Sequence, residues 1–209
     1  MEFLKKRFIE LLARRHVYAN APALFAEIRA LHETSPRFYH TFIGHVAACI
    51  RELDHIISYT DDIDEIELAL FFHDAVMDFT RADNEEQSAG LAYAFCQRIG
   101  LTETFALEVK RLILATKHNA VPETMAEKIV VDIDLSILGQ IEEIFDVYET
   151  NIRREYAFVP EEVFREKRAE ILEKFLARPT LYSTSYFKTR YEQPARKNLA
   201  RSITTLRSK

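Results

Sequence analysis

The sequence predicts an all-α fold of about eight to ten helices, and three observations carry that prediction. Apolar residues recur with a period near 3.6 along most of the chain; the 209 residues include only four glycines and six prolines; and the punctuation between patterns consists of helix caps rather than hairpin turns. Hydrophobic residues make up 48% and charged residues 29%, the balance of a soluble globular chain. The length fits one domain, read here as 1–209. No apolar run approaches the ~20 residues of a membrane span, and the N-terminus lacks the cleavage region of a signal peptide, so a cytoplasmic protein with no membrane partner is expected. A net charge of −5 argues against general nucleic-acid binding.

The elements follow in chain order. "MEFLKKRFIELLARRH" places Phe3, Leu4, Phe8, Leu11 and Leu12 between charges, as an amphipathic helix does. Helical patterns then cover 41–59, 64–77, 83–99, 103–117, 126–138, 140–157, 160–177 and 194–207. Asp64 with Glu67 and Asp83 with Glu86 are spaced as capping boxes, while Gly100 and Gly139 suit C-terminal stops. "EKIVVDIDL" could pass for a strand, but it runs directly into "SILGQ" and reads as helix. Cys49 and Cys96 sit inside helical patterns and read as reduced core residues. The basic segment 188–209 reads as a solvated helix face, and the aromatic run "LYSTSYFKTRY" as a packed arm.

One stretch resists a purely structural reading. "LALFFHDAVMDFT" sets His73 and Asp74 at the centre of an apolar run. A buried carboxylate must be paired or metal-bound, because desolvating a lone charge costs several kcal/mol. Imidazole nitrogen and carboxylate oxygen are ligand types that suit a divalent cation. Further ligands are available upstream in "RFYHTFIGHVAACIREL", with His40 and His45 on either side of a helix start capped by Thr41, and downstream in "VVDIDLSILG", with Asp132 and Asp134.

This ordered set, H…HD…D, resembles the HD superfamily of metal-dependent phosphohydrolases, within it a subgroup of predicted HD-type metal-dependent hydrolases. The blocks "YHT…HV", "HDAVMD", "DNEEQSA", "LILATKH", "DIDLSILG", "IRREYAFVP", "FLARP" and "ARKNLA" extend the resemblance from about residue 20 to 207. It implies a phosphodiesterase-like HD-domain helical bundle. It also implies metal ligands His45, His73, Asp74 and Asp134, with Asp132 as the rival for the last place. Asp134 is preferred because the family's final aspartate opens a short Leu-containing run, here "DLSIL". The histidines of the family's "YHxxxH"-like stretch are four apart, whereas His40 and His45 are five apart. On a regular helix four residues advance the face by about 40° and five by about 140°. Either His40 precedes the helix, or Gly44 permits a local bulge.

The implied chemistry is hydrolysis of a nucleotide or another small phosphate ester by metal-activated water, with Mn, Mg, Fe, Co, Ni or Zn all compatible with these ligands. His40 or His118 would protonate the leaving alkoxide, and Lys117, Arg81 or Arg196 would hold nonbridging phosphate oxygens. Asp78 and Glu85 are candidates to orient a ligand or activate water. A non-catalytic sensor or binding module is the alternative; a di-iron oxygenase would need extra histidines between His73–Asp74 and the last aspartate, where only His118 lies. The helical surface could support a homodimer.

Overall fold

Ten α-helices, and no strand among the described residues, make up the computed structural model, which describes residues 1–208. The chain forms two compact units, Met1–Val130 and Val131–Lys209. The first contains α1 (Glu2–Arg14), α2 (Ala21–Leu31), α3 (Ala47–Asp54), α4 (Ile63–Phe72), α5 (Asn84–Arg98) and α6 (Glu103–Ala115). α7 (Met125–Asp134) begins there and runs unbroken past Val130; a 3₁₀ turn (Leu135–Gly139), α8 (Glu142–Glu155), α9 (Glu161–Leu176) and α10 (Ser185–Arg207) follow. No described helix is long and apolar enough to cross a membrane.

α4 is the axis of the first unit and packs against α1, α3, α5 and α6. Its residues 66–72 are all buried, which is why its sequence is apolar around the whole circumference. Phe71 meets Phe8 edge-on at 5.3 Å, and Phe8, Phe25, Phe42, Phe72 and Phe95 extend the aromatic cluster across four further elements. Each fully buried ring contributes roughly 1.5–3 kcal/mol. The one acid within this run, Glu67, is fully buried and accepts from Arg7 Nε at 2.8 Å and Arg14 at 2.7 Å. Glu67 is therefore an ionic clamp between α1 and α4, not the second half of a capping box; Asp64 likewise pairs with Arg14. Asp83 and Glu86 also form no box, for Asp83 binds Arg81 and Glu86 binds Lys117. Gly100, at φ +80°, does end α5 in the left-handed conformation that glycine adopts without strain.

α2, α4 and α10 depart from the sequence expectation. α2 was not anticipated; Pro22 stands in its first turn, where the missing N–H costs nothing. α4 stops at Phe72 instead of continuing to 77, because its would-be partners bond elsewhere. The carbonyls of Asp74 and Ala75 accept from Arg37, while the amides of Val76 and Asp78 donate to Ser88 and Asn84. α10 starts at Ser185 rather than 194 and carries Pro194 in its interior. A proline there costs roughly 3 kcal/mol. The upstream half is held by burial of Phe187 and Tyr191, which pack with the fully buried Tyr182. The aromatic arm is thus core.

In the second unit α10 packs on α9 and on the 3₁₀ turn, which also meets α8. Asn198 donates to the carbonyls of Leu138 and Gln140 at 2.9 and 2.8 Å. Gly139 is required by close approach: a Cβ there would lie 2.7 Å from the Tyr191 carbonyl and 2.9 Å from its Cα.

Candidate metal centre

The stretch around His45 winds as a π-helix from Phe42 to Val46, immediately before α3. Val46 N donates to Thr41 O five residues back at 3.3 Å, and the Thr41 hydroxyl caps the turn by accepting from Gly44 N at 3.1 Å. A Cβ on residue 44 would sit 2.6 Å from that hydroxyl, so glycine is what lets the cap and the wide turn coexist. His40 lies before the helix, half-buried, with its ring 5.8 Å from that of His45 and 6.1 Å from Phe79.

His73 caps the C-terminal end of α4, and Asp74 follows it into the turn. Nδ1 of His73 lies 2.9 Å from the Leu70 carbonyl, an acceptor only, so Nδ1 carries the hydrogen and donates. In the neutral ring this leaves Nε2 with its lone pair, the form in which a histidine ligates a metal. That lone pair faces His45: the two Nε2 atoms are 2.8 Å apart. Asp74 Oδ2 is 3.4 Å from His45 Nε2 and 3.3 Å from His73 Nε2. All three side chains are buried. Donors bound at about 2.1 Å to one ion stand roughly 3.0–3.4 Å apart, so the two Asp74 distances match a shared cation while the imidazole pair stands slightly closer.

Cys49 joins the group. Its thiol is 3.8 and 3.9 Å from the two His45 ring nitrogens, and the His45, Cys49 and His73 ligand atoms lie within 4.8 Å of one another. A buried group of two histidines, a cysteine and an aspartate could therefore hold a metal ion. Cys49 is thus more than a core residue, and its spacing of four from His45, which puts both on one helix face, is the signal for this in the sequence.

The two downstream aspartates differ sharply. Asp132 is fully buried within the second unit and accepts from Ser183 N, Thr184 N and Thr184 Oγ1 at 2.8, 2.7 and 2.8 Å. Its carboxylate thus ties down the segment that opens α10. Burial outweighs these three donors and pushes its pKa up to about 6. Asp134, half-buried, is the last residue of α7.

The candidate cations and bases have the following surroundings. Lys117 Nζ donates to the Ala82 carbonyl at 2.7 Å and pairs with Glu86, which raises its pKa. Arg81 forms a two-pronged pair with Asp83 on the surface, and Arg196 donates to the carbonyls of Leu176, Arg178 and Pro179 at the end of α9. His118 is half-buried just beyond α6 with φ +58°, a left-handed conformation uncommon for a residue other than glycine. Asp78 accepts from the amide and hydroxyl of Thr80, while Glu85 lies 3.9 Å from Lys117. No family model, curated protein or solved structure matches the chain.

Proposed function

We propose that the protein is a metal-dependent phosphohydrolase acting on a small phosphate ester, a nucleotide among them, with a divalent cation held by His45, His73 and Asp74 and with Asp134 as the last ligand that the sequence resemblance implies. The observation that carries this reading is the convergence of two imidazole Nε2 atoms and Asp74 Oδ2 among buried side chains, with the His73 Nδ1 already engaged by a backbone carbonyl. The bound cation would lower the pKa of a water and polarise a phosphoryl oxygen. His40, beside His45 yet outside the helix, is suited to give a proton to the leaving oxygen, and His118 is the other candidate for that role. Burial of the ligand side chains limits competition from bulk water.

One observation favours a second reading, a metal-binding module without turnover. Lys117, Arg81 and Arg196, the side chains assigned to grip phosphate, are each engaged by protein carbonyls or carboxylates. Asp74→Ala tests the shared premise. It should abolish metal uptake, measured by elemental analysis of the purified protein, while the fold survives, because little apolar area is lost. Unchanged metal with a large fall in melting temperature would instead mark Asp74 as a structural buried acid. Hydrolysis of nucleotides or aryl phosphates by the metal-loaded protein then separates the phosphohydrolase from the module.

A further inference from the structure

Arg37 was not singled out by any motif, yet its guanidinium reaches three separate segments. It donates to the Leu31 carbonyl at the end of α2 at 3.3 Å and to the His40 carbonyl just before the π-helix at 3.4 Å. It also donates to the carbonyls of Asp74 and, at 3.1 Å, Ala75 in the turn after α4. Ser35, two residues earlier, adds a bond from its hydroxyl to the Met77 carbonyl at 2.9 Å and accepts from Arg37 Nε at 3.4 Å. The loop that carries His40 is thereby stitched to the turn that carries His73 and Asp74.

We propose that Arg37 is a positioning residue for the metal centre: its planar fork holds the Asp74 turn out of the helix and fixes His40 relative to it. This inference rests on the metal reading of the site. Helix ends leave carbonyls without intrahelical partners, and those of Asp74 and Ala75 would accept from residues 78 and 79 if α4 continued. His73 itself is still helical, so the departure from the helix falls at the Asp74 and Ala75 peptides that Arg37 holds, and these set the orientation in which Oδ2 faces the two imidazoles. Arg37 occupies these carbonyls with charge-assisted bonds, stronger than neutral ones. Only a guanidinium presents enough donors in a rigid plane to reach carbonyls on three segments; an ammonium supplies the charge without the geometry. Neighbouring His32 is buried, gives Nδ1–H to the Ile28 carbonyl, and has its pKa pushed down to about 4 by burial, so it adds no competing charge at neutral pH.

The test is cobalt(II) titration, followed by visible ligand-field absorption, of the wild type, Arg37→Lys, Arg37→Ala and Ser35→Ala, all at a temperature where circular dichroism shows them folded. Loss of an outer group that orients metal ligands typically weakens binding about 10- to 100-fold. Arg37→Lys and Arg37→Ala should both fall in that range with an altered spectrum, and Ser35→Ala should shift less in the same direction. Should Arg37→Ala fail to fold, Arg37→Lys and Ser35→Ala decide the matter. Wild-type affinity and spectrum in Arg37→Lys would overturn the positioning role. Absence of any ligand-field band in the wild type would overturn the metal reading and this inference with it.

Discussion

Replacing Asp132 by alanine separates the two aspartates that compete for the last ligand place. The substitution strands the amides of Ser183 and Thr184 and the Thr184 hydroxyl, each of which loses a carboxylate partner. A buried unsatisfied group costs about 1–3 kcal/mol, so the three together cost roughly 3–9 kcal/mol. Against this stands relief from burying an ionised carboxylate. A pKa raised from 3.8 to about 6 corresponds to roughly 3 kcal/mol at neutral pH, at 1.36 kcal/mol per unit. The net loss at pH 7.5 should therefore be about 0–6 kcal/mol. The sign of the pH dependence is distinctive. A carboxyl with a raised folded pKa holds its proton more tightly folded than unfolded, so the wild type gains stability as pH falls through about 6, and the gain is complete below 3.8. By pH 5 this amounts to about 1.4 kcal/mol, which the alanine variant lacks. Urea denaturation of both proteins at pH 7.5 and pH 5 measures the difference directly, with contributions from other carboxyls cancelling. Bound metal should be unchanged in Asp132→Ala and lost in Asp134→Ala. A gap in stability that narrows on acidification, or metal lost from Asp132→Ala, would refute the assignment of Asp132 as the anchor of the α10 start.

Gly44→Ala should destabilise the protein by about 1 kcal/mol through loss of the Thr41 cap, opposite in sign to the gain that alanine brings within an ordinary helix; thermal melting reads the sign, and a rise in melting temperature would show that the π-helix tolerates a Cβ. Glu67→Gln leaves Arg7 and Arg14 facing a neutral amide, and because both arginines keep other carboxylate partners the cost should sit near the lower end of the range for broken buried pairs, about 3 kcal/mol. That corresponds to a melting temperature lower by roughly 6–12 °C in a chain of this size, with metal content unchanged.

Most of the helices were legible in the sequence because each buries one face, and a buried face imposes its 3.6-residue period on the residues themselves. The oddity of His73–Asp74 was legible for a related reason: a carboxylate inside an apolar run has to be explained by a partner. What the sequence could not settle is where chemistry overrides periodicity. α4 shows no local stop signal at Phe72; it ends because Arg37, Ser88 and Asn84, distant in sequence, take the carbonyls and amides that a longer helix would use. Asp132 and Asp134 stand two apart in one apolar segment, and only the arrival of Ser183 and Thr184 from fifty residues away makes Asp132 an acceptor of three bonds. Pro194 reads locally as a helix start, yet the burial of Tyr182, Phe187 and Tyr191 carries α10 through it. The spacing of His40 and His45 left two geometries open, and both features occur: His40 precedes the helix, and the Thr41–Gly44 cap opens a π-helix around His45. The sequence by itself determined the helices and the ligand types, since these follow from burial and functional-group chemistry. Tertiary structure decided which donors face one another, because that depends on partners whose sequence separation leaves no local trace.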